Sequence, residues 1–130
     1  MNTTPEIVVL CGSTRFRDEM TAANRDLTLA GCIVLAPGVF GHSGDAMTDA
    51  QKVALDALHL RKIDMADRVL VVSPGGYVGA STSQEIEHAQ QTGKPVAYTD
   101  PPDGCDHDDL ACPVGACIAL YPPYREDMGR

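Results

Sequence analysis

The chain has 130 residues, enough for one domain with a sizeable core and too few for separate cofactor and substrate domains. Ten Lys+Arg against 18 Asp+Glu give a formal charge of −8, and the aromatics are two Phe and four Tyr with no Trp. That balance excludes a basic duplex-binding face and a base-stacking platform, and so a nucleic-acid polymer as partner.

Met1 to Glu6 carry no basic stretch, and the first apolar run, Ile7 to Cys11, is too short for a secretory signal. No run approaches a membrane span, so no membrane association is expected. Five cysteines, an odd number without a CxxC pair, read as reduced thiols in a cytoplasmic protein.

Strand-like and helix-like segments alternate through residue 99, the pattern of βαβ units and a parallel sheet. Ile7 to Cys11 is a continuous apolar run suited to a central strand buried on both faces. Gly12-Ser13-Thr14 stops it. From Arg15 the apolar residues Phe16, Met20, Ala23, Leu27 and Ala30 predict an amphipathic helix closed by Gly31. Cys32 to Ala36 predicts a second strand, ended by Pro37, and a Gly-rich loop from Gly38 to Asp45 follows. A long helix is expected from about Thr48 to Ala66, with Val53, Ala57, Leu60 and Ile63 as its inward stripe. Asp67 to Val72 predicts the third strand and Pro74 to Gly79 the turn after it. The third helix is expected over Thr82 to Gln91, with Gly93 beyond its end, and Val96 to Tyr98 as the fourth strand. The fold expected is a three-layer doubly wound α/β domain, Rossmann or flavodoxin-like, with a parallel sheet of four to five strands. Residues 100 to 130 hold five of the nine prolines, three of the five cysteines and seven acids against two bases. They read as an acidic tail appended to a domain of residues 1 to 99, with Ala116 to Leu120 as a candidate edge strand.

Open parallel sheets bind ligands beyond the carboxyl ends of their strands, at the topological switch point. Gly12 to Arg15, Gly38 to Asp45 and Pro74 to Glu85 converge there. Gly12-Ser13-Thr14-Arg15 offers amides, hydroxyls and a guanidinium for a phosphate or carboxylate, or else forms a tight turn with Ser13 or Thr14 as N-cap. The second turn lets backbone approach a ligand, with Ser81 and Thr82 adding hydroxyls and Glu85 one turn into the helix. Thr82-Ser83-Gln84-Glu85 also fits a T-x-x-E capping box, in which Glu85 bonds the N-cap amide. Cys11 reads as packing. Cys105, His107, Cys112 and Cys117 match no tetrahedral zinc spacing, and neither metal nor cofactor is expected.

Cys11-Gly12-Ser13-Thr14-Arg15, Ala66-Asp67, the Gly-rich turn with Ser81-Thr82, Glu85-Ile86 and Gly93-Lys94-Pro95-Val96 occur in an order that resembles the nucleoside 2-deoxyribosyltransferase family, in particular its deoxynucleoside 5′-monophosphate N-glycosidases. The resemblance covers residues 6 to 98. It implies N-glycosidic bond cleavage or base exchange on a nucleoside or nucleoside 5′-monophosphate, with Glu85 as nucleophile. It implies a sugar-phosphate site lined by Gly12, Ser13, Arg15, Gly79, Ser81 and Thr82, with Tyr77 and the loop around Phe40 and His42 near sugar or base. A homodimer or larger assembly is implied on the same ground. The chain departs from the family at Glu87, where Gly is usual. The acid expected to assist the leaving base falls on His59, with Asp64 the nearest carboxylate one turn on, so the proton donor is unassigned. Pro74-Gly75-Gly76-Tyr77 with Gly79 and Glu85 also resembles, at a different spacing, the P-G-G-x-G-T-x-x-E motif of nucleoside monophosphate phosphoribohydrolases. Related nucleotide-sensing domains supply the alternative of a binding module without turnover.

Overall fold

A computed structural model describes residues 4–41 and 44–100. Its centre is β1 (Ile7–Cys11), whose Val8 to Cys11 are fully buried. Side chains alternate across a strand, so Val8 and Leu10 enter one core while Val9 and Cys11 enter the other. The first core is completed by Met20, Ala23 and Leu27 of α1 (Arg17–Leu29). The second takes Ile63 of α2 (Asp49–Met65) with Ile86 and Ala89 of α3 (Ala80–Gln91). Burying each large aliphatic side chain contributes roughly 1.5–3 kcal/mol, so both faces of the sheet are pinned.

With β2 (Ile33–Leu35), β3 (Arg68–Val71) and β4 (Val96–Tyr98) the sheet is four-stranded among the described residues, all parallel, in the order β2-β1-β3-β4. This is the expected three-layer, Rossmann or flavodoxin-like α/β arrangement. The chain reverses direction across the sheet between β1 and β3, which are neighbours in space. That places the switch point at their carboxyl ends.

Local chemistry explains most boundaries. Gly31 (φ 97°) and Gly93 (φ 78°) take the left-handed conformation past α1 and α3, as expected of a C′ glycine. Lys94 Nζ donates to the carbonyls of Asp64 and Ala66 at 3.1 and 2.7 Å, satisfying the end of α2. Asp67 ties that end to β1 through its carboxylate, which accepts from the Ile7 amide at 2.8 Å. The Ala66-Asp67 and Gly93-Lys94-Pro95 segments therefore hold the frame rather than a ligand.

In α1 and α2 two sequence expectations fail. The stripe on α2 is misplaced in its first half, where Val53 is 69% exposed and Ala57 is exposed too. Only its last two members point inward, Ile63 buried and Leu60 partly so; in the first half it is Lys52, Leu55 and Asp56 that face the crevice, which leaves Val53 and Ala57 pointing to solvent. Helix α1 starts two residues later than expected, with Phe16 at its N-cap, since Ser13 to Phe16 first close a tight turn. No described helix is long and apolar enough to cross a membrane. His42, the Ala116 to Leu120 strand and the other tail residues after Asp100 lie outside the described residues.

Candidate active site

The crevice begins where β1 ends. Gly12 sits against β3, and a Cβ built on it falls 2.6 Å from the Val72 carbonyl oxygen, so only glycine fits while the two strands stay paired. Val72 continues that pairing by donating to the Cys11 carbonyl at 2.7 Å. The turn after β3 is held from the far edge of the sheet: the Ser73 amide donates to Thr99 Oγ1 and the Gly75 amide to the Asp100 carboxylate, at 2.8 and 2.7 Å. Asp100, assigned by composition to the tail, thus braces the Gly-rich turn.

Glu85 reaches the floor of the crevice because α3 starts earlier than expected. Its N-cap is Gly79, which has no side chain with which to cap, and Thr82 becomes a buried interior residue. The Thr82-x-x-Glu85 capping box does not form, since both residues lie inside the helix. A complete box does form at α2, where Thr48 Oγ1 accepts from the Gln51 amide and Gln51 Oε1 from the Thr48 amide. Neither α1 nor α3, the helices that open from the two switch-point turns, has a side-chain cap.

Freed from the cap, the Glu85 carboxylate meets Cys11 from β1 and His59 from α2. Cys11 Sγ lies 3.5 Å from His59 Nε2, and His59 Nε2 lies 4.0 Å from Glu85 Oε1. Burial pushes the Glu85 carboxyl up to about 7, partly offset by a hydrogen bond from the Cys11 thiol. The Cys11 thiol is itself raised by burial and by the adjacent carboxylate. Burial, with the charge of Lys62, lowers His59 to about 4, so the ring is neutral at neutral pH and its contact with Glu85 is no ion pair.

Above this floor is a cavity of about 750 Å³. Arg15, Ser13 and Tyr77 stand at its rim. The Arg15 guanidinium lies 4.9 Å from the Tyr77 ring centroid, and its Nε donates to Ser13 Oγ at 3.2 Å. Tyr77 packs edge-on against Phe16, their centroids 5.8 Å apart. On the α2 wall, Lys52 Nζ binds both oxygens of Asp56 and reaches Ser81 Oγ on α3 at 3.3 Å.

Of the residues expected at the site, Gly12, Ser13, Arg15, His59, Tyr77, Gly79, Ser81, Thr82 and Glu85 all line this cavity. Asp64 does not. It lies five residues beyond His59, on another side of α2, and is exposed, paired with His88 at 2.7 Å and Arg61 at 2.9 Å. Phe40 also turns away, packing on the α1 side of the sheet, although its neighbours Val39 and Gly41 line the cavity. Ser13 is not a helix cap, since its hydroxyl accepts from Arg15. Cys11 packs in the core as expected, and its thiol also touches His59; sequence reading missed Lys52 and Asp56. The signal for both was present: Lys52, Asp56 and His59 recur at i, i+4 and i+7, a polar stripe that marks the helix face turned to the crevice. No family model and no curated protein matches the chain.

Proposed function

We propose that the protein cleaves, or exchanges the base at, the N-glycosidic bond of a deoxynucleoside or its 5′-monophosphate, with Glu85 as nucleophile. The observation that carries this reading is the Glu85 carboxylate, outside any capping box and inside the crevice at the β1/β3 switch point. A carboxylate in a poorly solvated floor is weakly screened, so it stabilises positive charge developing at C1′ of a bound sugar. Attack forms a C1′–O ester as the C1′–N bond breaks; the base nitrogen keeps the bonding pair and takes a proton from solvent. Water or a second base then resolves the ester. The cavity volume suits a nucleotide. Arg15 and the two helix N-termini without side-chain caps supply positive ends for a 5′-phosphate.

The test is to incubate the chelator-treated protein with deoxynucleoside monophosphates and follow free base by chromatography. Wild type releases base, and Glu85→Gln lowers the rate by at least about a thousandfold. Undiminished release in the variant overturns the nucleophile assignment. Binding without release, for any nucleotide, makes the protein a nucleotide sensor instead. A second free base added to the mixture separates exchange from hydrolysis.

A further inference from the structure

The floor of the crevice has a second property that glycosidic chemistry does not use. A thiol, an imidazole and a carboxylate converge there from three separate elements, and their ligand atoms all lie within 4.8 Å of one another. Cys11 is fully buried, His59 is 7% exposed and the Glu85 side chain is 13% exposed, so packing fixes all three. Zinc bonds to sulfur, nitrogen and oxygen have lengths that put tetrahedral ligands roughly 3.3–3.7 Å apart. The 3.5 Å between Cys11 Sγ and His59 Nε2 already fits, and the 4.0 Å between His59 Nε2 and Glu85 Oε1 closes with a small side-chain rotation.

We propose that Cys11, His59 and Glu85 form a three-ligand site for a zinc-class divalent ion, with its fourth coordination position open to the cavity. The ligand set selects the metal. A thiolate with an imidazole suits zinc or cobalt and is wrong for magnesium or calcium, which take oxygen ligands. Three protein ligands with one open position is the arrangement of zinc sites that take an exogenous ligand. Binding exchanges the Cys11 thiol proton, released to solvent, for a metal–sulfur bond. Glu85 cannot ligate an ion and attack a sugar at once, so occupancy switches glycosidic chemistry off. That consequence rests on the reading above; the binding does not.

The test uses the full chain after chelation, titrated with Co²⁺ and with Zn²⁺ in competition, without substrate. One equivalent of Co²⁺ is expected to give a thiolate-to-cobalt charge-transfer band and the intense visible bands of a tetrahedral ion, both removed by Zn²⁺. Cys11→Ser abolishes the charge-transfer band. His59→Asn and Glu85→Gln weaken binding by at least the roughly 10–100-fold that losing an outer partner costs. Circular dichroism confirms that each variant is folded, and Glu85→Gln, which keeps the size and shape of the side chain, tests the site even where Cys11→Ser does not fold. Failure to bind Co²⁺ overturns the proposal. So does a charge-transfer band that survives Cys11→Ser, which assigns the metal to one of the other four cysteines, Cys32, Cys105, Cys112 or Cys117, or Co²⁺ affinity unchanged in Glu85→Gln. Absence of base release from the metal-free protein overturns the glycosidic reading and leaves the metal site standing.

Discussion

His59 Nε2 lies 4.0 Å from Glu85 Oε1, yet burial drives the two groups toward their neutral forms, the imidazole down to about 4 and the carboxyl up to about 7. The usual order of a carboxylate and an imidazole is therefore inverted. Each is held in the form that water would disfavour at mildly acidic pH.

Stability should register this. The folded-state value of Glu85 lies above its ordinary 4.5, so its contribution is present below that pH and is lost as pH rises through about 7. His59 runs the other way, its contribution present above 6.5 and lost as pH falls through about 4. Between 4.5 and 6.5 the two slopes oppose each other. Cys11, Lys52 and Asp56 are the other polar groups facing Glu85. Glu85→Gln removes one slope, so in metal-free protein its stability relative to wild type should improve from about pH 4 to about pH 8, by at most about 3 kcal/mol. Urea unfolding at both ends checks this, and a pH-independent difference between the two proteins contradicts it.

Arg15 should recognise phosphate rather than sugar or base. Arg15→Ala is expected to raise KM for a deoxynucleoside 5′-monophosphate by roughly 10- to 100-fold, the loss of a charge-assisted hydrogen bond. KM for the unphosphorylated nucleoside should stay put. Equal losses for both substrates argue against a phosphate role.

Asp64 separates the tertiary geometry from chain order. Its carboxylate is held below the ordinary range chiefly by the hydrogen bond from His88, and it does not line the cavity. Asp64→Asn is expected to leave base release within about twofold of wild type, as at other surface positions. A loss comparable to that of Glu85→Gln returns Asp64 to the site.

Gly12→Ala tests the seam between β1 and β3. The new methyl meets the Val72 carbonyl oxygen at 2.6 Å with the backbone at φ 150°, so overpacking and strain together should cost about 3 kcal/mol or more. Thermal unfolding reads it directly, and an unchanged midpoint shows that the strands can part there without penalty.

The sequence by itself determined the architecture. A run such as Ile7 to Cys11 has few alternatives to a central strand, and Gly31 and Gly93 end helices for local steric reasons. It also brought most of the crevice together, because strand-to-helix turns in such a sheet share one edge. What it left open was where α3 begins, and the T-x-x-E spacing pointed to the wrong cap. A helix start is set by where the backbone leaves the extended region, and here that is just after Gly79, which places Thr82 in the core and Glu85 in the crevice.

Tertiary structure alone decided the company Glu85 keeps. Cys11 and His59 are 48 residues apart and have no mutual signal in the chain. They meet because Cys11 falls on the α2 side of the strand alternation and His59 on the cavity side of its helix. The same packing removes water from all three groups, and with it the ordinary protonation of the carboxyl and the imidazole.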